Sequence, residues 1–198
     1  MRKILTLIIL IAFNICSAQT DIYTEIYQNA DSLNIKGKVG ILENQVYKIA
    51  DSLSVKHPME YFKASAELLK ERKFNEASFL YYLGYFRYRY FNSSNPNYQA
   101  SGDGALAGAF SSMLGEPVKM YLHCNVENFI SILNLTVEYM KSNDYTFYSK
   151  EKDLEKYNLQ LINASTVVED LKLKKNKYKK EWKKERKKFE KLLKDNIE

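Results

Sequence analysis

The chain has 198 residues, 45% of them apolar, and 30 Lys+Arg against 24 Asp+Glu give it a formal net charge of +6. That length and apolar share suit one compact domain with a real core. Two cysteines and two histidines are too few for a usual four-ligand zinc site or a disulfide framework, so packing has to hold the fold.

The first residues, MRKILTLIILIAFNICSAQT, combine a charged start at Arg2 and Lys3, an apolar run from Ile4 to Phe13, and small residues at Ser17 and Ala18. This pattern predicts a secretory signal peptide over residues 1–18, cleaved after Ala18, which places the mature protein in the periplasm or outside the cell. The apolar run is well short of the roughly 20 residues of a spanning helix. Phe13-Asn14-Ile15 before Cys16 lacks the small residue of a lipoprotein signal. Cys16 is expected to leave with the leader, so no intramolecular disulfide is expected for Cys124.

Between Thr20 and Lys56, IYQNADSLNIK (Ile26 to Lys36) aligns with VYKIADSLSVK (Val46 to Lys56), six of the eleven positions being identical. Apolar residues at helical spacing end in each copy, and Gly37 and Gly40 separate them. Two short helices are expected here, and two copies are too few for an array.

The core of the chain is expected between His57 and Phe91, HPMEYFKASAELLKERKFNEASFLYYLGYFRYRYF. Pro58 suits a first helical position, and Tyr61, Phe62, Ser65, Leu68 and Leu69 recur at helical spacing. After a turn over Glu71 to Phe74, Asn75 is the expected N-cap of a second helix whose Ala77, Tyr81, Gly84, Tyr85 and Tyr88 form another stripe. Arg87 and Arg89, two apart, face away from each other, so one is expected to lie over Tyr85 or Tyr88 and the other to face water.

This hairpin resembles one tetratricopeptide repeat. Tyr61, Ser65 and Leu68 fall where that family has bulky, small and bulky residues, Phe74-Asn75-Glu76-Ala77 matches its helix-two opening, and Tyr81 and Gly84 continue the match. The repeat's terminal proline is replaced by Arg87-Tyr88-Arg89-Tyr90. A single unit does not make a solenoid. The run EASFLYYLGYFRYRY with NPNYQASGDGALAG is also similar to a family of exported bacterial proteins for which the resemblance implies no particular activity.

Asn, Ser, Pro and Gly after Phe91 predict a loop, with Ser101 or Asp103 capping a short helix from about Gly104 to Leu114, Gly115 ending it and Pro117 opening the next. Glycines at 102, 104 and 108 do not make a phosphate loop, since Ala109-Phe110 stand where Lys-Ser/Thr would be needed. From Val118 to Tyr148 helical spacing continues, broken near Ser142-Asn143-Asp144. His123 and Cys124, adjacent in sequence, cannot face each other as a nucleophile and base.

From Asp153 onward Leu154, Tyr157, Leu161, Ala164, Val168, Leu171, Lys175, Tyr178, Trp182, Glu185, Phe189 and Leu192 form one heptad-like seam. Residues 172–198 hold 13 Lys+Arg and 5 Asp+Glu, a surplus of +8. With Arg2 and Lys3 gone the mature chain carries +4, so the remainder is −4. The seam is expected to belong to the fold up to Leu171 and to extend from it as a basic arm thereafter. The expected organisation is therefore signal peptide 1–18, helical domain 19–171 and basic extension 172–198.

The expected architecture is all-α, an irregular bundle around the aromatic hairpin with a long basic C-terminal helix. No HExxH, GxSxG or CxxC occurs, no cofactor is implied, and an enzyme is not expected. Asp103 and Glu76 are the carboxylates whose burial in a pocket would reopen that question. The expected function is that of a non-catalytic interaction protein, an inhibitor, immunity protein or envelope assembly factor. Its partner would be another envelope or secreted protein. The alternative is a binder of anionic polymers or lipids, including an anionic membrane surface, through the basic helix, and nucleic acid is not expected in that compartment. The residues expected to carry the interaction are Tyr82, Arg87, Arg89, Tyr98, Asp103, Tyr178, Trp182 and Phe189.

Overall fold

The computed structural model describes residues 22–26 and 42–195. The expected signal peptide and cleavage position, Cys16 and most of the first repeat copy lie outside the described residues. The bundle is all-α, with no strand among the described residues. A helical piece at 22–26 is followed by α1 (Asn44–Ser52), α2 (Met59–Lys70), α3 (Phe74–Ser94), α4 (Ala105–Leu122), α5 (Val126–Ser142), α6 (Leu154–Leu173) and α7 (Lys175–Asp195).

α2 buries Tyr61, Phe62, Ser65, Leu68 and Leu69, the stripe that its sequence spacing dictates. It stops at a two-bond C-terminal motif in which Arg72 N–H donates to Leu69 O (3.1 Å) and Lys73 N–H to Leu68 O (2.9 Å). Arg72 is left-handed at φ 62°, a position that glycine usually holds. α3 then runs back along α2. Gly84 is needed at their crossing, because a Cβ there would meet Tyr61 Cβ at 2.6 Å. Ser65 Oγ donates to Ala77 O (2.8 Å) across the same contact.

α3 is buried almost all round, with Phe79, Leu80, Leu83, Phe86 and Tyr90 inside as well as Ala77, Tyr81, Gly84 and Tyr88 of the expected stripe, while Tyr85 is half-buried. A helix that is apolar on every side is the centre of its bundle, and α2, α4, α5 and α6 pack around this one. Asn75 is not its cap. Helix geometry begins one residue earlier at Phe74, and Asn75 is buried, its Oδ1 accepting from Tyr121 OH (2.9 Å) and Asn128 Nδ2 (2.7 Å). Those bonds satisfy the amide inside the core, which water would otherwise have to do at the helix end.

Two further expectations are corrected. α4 does not break at Gly115 and Pro117 but continues to Leu122. Burial of Leu114, Val118, Tyr121 and Leu122 along one face offsets the lost proline hydrogen bond. Gly115 serves close packing, since a Cβ there would meet Tyr81 OH at 2.5 Å. The C-terminal seam is likewise two helices, broken at Lys174 (φ −102°, ψ 18°).

Beyond that break α7 folds against the body and buries Trp182, only 7% exposed, with Tyr178 and Phe189 half-buried beside it. Lys175 and Lys179 both reach Glu127 near the start of α5, at 2.8 and 2.7 Å. The aromatic half of the seam outweighs the interruptions at Lys175 and Glu185, so at least the stretch to Phe189 packs where an extending arm was expected.

Candidate binding cleft

Burying so many rings in one helix leaves some at the bundle's edge. Tyr81, Tyr82, Tyr85, Phe86 and Arg89 of α3 form one wall of an open cleft of about 830 Å³. α4 supplies Ser111, Ser112, Glu116, Lys119 and Met120 opposite them, α5 the floor at Phe129 and Leu133, α6 Asn163 and Val167, and α7 Glu185.

The wall is a ladder of rings. Tyr81 and Tyr85 stack at 6.3 Å, Tyr82 and Phe86 at 6.2 Å, and Tyr82 leans on Phe129 at 5.6 Å. Tyr81 OH donates to Ser111 O (3.2 Å), pinning the ladder to α4. Arg89 Nη1 donates to Tyr85 OH at 2.8 Å with its guanidinium 5.5 Å over the same ring, so the tyrosine carries the arginine as a lid on the wall. Burial pushes the Tyr81 phenol up to about 12 and that of Tyr82 higher still. These two phenols stay neutral at physiological pH, and the ladder offers apolar faces with hydroxyl tips. Arg89 and Lys119 on one hand, and Glu116 and Glu185 on the other, give the rim both signs.

The remaining expected residues lie elsewhere. Arg87 is wholly buried, away from the cleft, its guanidinium 5.2, 5.5 and 5.0 Å over the rings of Tyr61, Tyr139 and Tyr145. It donates to Tyr61 OH and to the carbonyls of Asn143 (3.4 Å) and Asp144 (3.3 Å), and so ties the loop after α5 to the core. Tyr98 stands exposed on the loop after α3. Asp103, in a single π-turn over Ala100–Gly104, accepts from Tyr88 OH (3.3 Å) and pairs with His57 Nε2 (3.1 Å). His57 Nδ1 accepts Met59 N–H (3.3 Å), which puts the ring proton on Nε2. Both nitrogens are thus engaged, and the pair anchors the loop to the start of α2. Glu76 is buried, with its Oε1 accepting Glu43 N–H (3.1 Å). Of the expected residues, Tyr82 and Arg89 belong to the cleft, and Tyr178, Trp182 and Phe189 form the inner face of α7.

Sequence spacing alone misses the far walls. Lys119, Met120, Phe129, Val167 and Glu185 meet only because α4, α5, α6 and α7 come together beside α3. The available signal is the doubled aromatic pattern Tyr81-Tyr82 and Tyr85-Phe86, more ring surface on adjacent positions than one buried face needs. His123, which lines one end of the cleft, stacks on Trp182, and a second hollow of about 510 Å³ lies on its other side between Cys124, Asn125 and the α7 cations Lys179, Lys183 and Arg186. Among the described residues no three His, Cys, Asp or Glu side chains gather as a metal set.

Fold and geometry together define an all-α bundle with a buried central helix and one open aromatic cleft. Comparison with protein families, with curated proteins and with solved structures finds no match to this chain.

Proposed function

We propose that the protein is an exported, non-catalytic binding protein whose aromatic cleft holds an apolar side chain of another envelope or secreted polypeptide. The observation that carries this reading is the cleft wall of Tyr81, Tyr82, Tyr85, Phe86 and Arg89. Tyrosine, phenylalanine, methionine and arginine are the residues that protein interfaces concentrate at their centres. Phenol rings held by their neighbours offer contact area with little entropy left to lose. The two-signed rim suits a peptide, whose backbone and flanking side chains present both donors and acceptors. An inhibitor, an immunity protein or an assembly factor needs no more than such a surface. The absence of a catalytic role is supported by the engagement of both His57 nitrogens and by the stacking of His123 against Trp182.

Selection of a displayed peptide library against the protein tests this. Enriched peptides should share an aromatic or long aliphatic anchor, and Ser112→Trp, which fills the cleft from its exposed edge, should weaken their binding at least tenfold at unchanged melting temperature. Peptides that bind Ser112→Trp as well as the parent would contradict the proposal.

A further inference from the structure

α7 turns its rings to the body, and what it leaves outside is lysine. With Trp182 as the inward direction, about 100° per residue places Lys180, Lys184, Lys187 and Lys191 within about 40° of the opposite direction, with Lys183 and Lys188 on the flanks. All six are exposed, and among the described residues none joins an ion pair, whereas the inward-leaning Lys175 and Lys179 share Glu127. The stripe from Lys180 to Lys191 is about 17 Å long. Like charges three and four residues apart repel and weaken a helix, so this arrangement stands against the stability of its own element.

We propose that this lysine face docks the protein on an anionic lipid bilayer. A straight row of point charges fits a plane of headgroup phosphates, which demands no registered fork geometry, and the face holds no arginine. Single-stranded nucleic acid is the poorer fit, because Tyr178, Trp182 and Phe189 are turned inward and no ring stands among the lysines for bases to stack on. No helix is long and apolar enough to cross a membrane among the described residues. With its apolar side occupied by the body, α7 makes a peripheral, electrostatic contact that salt weakens. The surplus of +8 over residues 172–198 against −4 for the rest of the mature chain gives the molecule a dipole that directs α7 toward the surface. The cleft is a separate surface, so this inference does not rest on the function proposed above.

Co-sedimentation of the protein with phosphatidylcholine vesicles, with and without about one quarter phosphatidylglycerol, decides it, the readout being the anionic increment over neutral vesicles. That increment should vanish in high salt, persist in the triple Lys→Arg variant at 180, 184 and 187, and fall about a hundredfold in the triple Lys→Gln variant at the same positions. Lys→Gln at the exposed body lysines 48, 70 and 141 should leave it within threefold of the parent, as should Ser112→Trp. Equal binding to neutral and anionic vesicles, an unchanged increment in the α7 Lys→Gln variant, or tight binding to single-stranded DNA with none to anionic vesicles would overturn the proposal.

Discussion

The imidazole of His123 and the indole of Trp182 are stacked, their centroids 4.1 Å apart and their planes 3° from parallel. This stack, with Arg186 Nη1 donating to His123 O (3.1 Å), is what attaches α7 to the turn between α4 and α5. Trp182→Ala should therefore cost about 3–5 kcal/mol. Truncation after Lys174, which removes the same ring, should lower the melting temperature by about 10 °C. Thermal melts of both check this, and a truncated chain that melts with the parent would show that the stack contributes nothing.

The same stack makes stability pH-dependent. Burial, and then the nearby charges of Lys119 and Arg186, hold the His123 pKa at about 4 against 6.5 in the unfolded chain. Between those values the unfolded chain binds more protons than the folded one, so stability falls as pH drops through this window, by on the order of 3 kcal/mol at its lower end. The Glu185 carboxylate, 3.9 Å from Nδ1 but largely in water, screens little of that loss. His123→Phe keeps the stack and should flatten the slope between pH 6.5 and 4 in denaturant titrations. The Glu127 carboxyl, held down to about 2 against its own burial by Lys175 and Lys179 and at 4.5 in the unfolded chain, adds its own loss of stability only from about pH 4.5 downward, and that loss is common to parent and variant.

Two glycines should respond oppositely to alanine. Gly84→Ala puts a methyl into Tyr61 and should destabilise by about 1–3 kcal/mol. Gly108 has open space where a Cβ would stand, so Gly108→Ala should stabilise α4 by about 0.5–1 kcal/mol. Calorimetry on the pair reads both signs at once. The Gly84 half tests the α2/α3 crossing itself.

Arg87→Lys should cost about 2–4 kcal/mol although the charge is kept, because an ammonium cannot span three rings and two carbonyls. Chemical denaturation measures it. A change under about 0.5 kcal/mol would show that the cage does not need the planar guanidinium.

The hairpin was legible in the sequence because Tyr61, Ser65, Leu68, Ala77 and Gly84 obey one helical period and one close approach. That one of Arg87 and Arg89 lies over Tyr85 was legible for the same local reason, four residues being one turn, but the other was expected to face water and is buried. Arg87 was not legible. Its partners Tyr61, Tyr139 and Tyr145 come from distant segments, and in a helix buried on every side no periodicity separates inner from outer positions. Asn75 and Pro117 misled in the same way, since each carries a strong local preference that tertiary burial outweighs. Of the cleft's lining, only Tyr82 and Arg89 were among the residues expected from the sequence to carry the interaction. Its other walls depend on how α4, α5, α6 and α7 cross α3, which no local pattern encodes.

Site-specific photo-crosslinking in cells that make the protein tests the central claim, that the cleft holds another polypeptide. A photoreactive residue at Lys119, on the rim, should give a discrete adduct that Ser112→Trp abolishes, while the same residue at Lys48 on α1 gives none. No adduct from position 119, or adducts of equal size and yield from both positions, would contradict it.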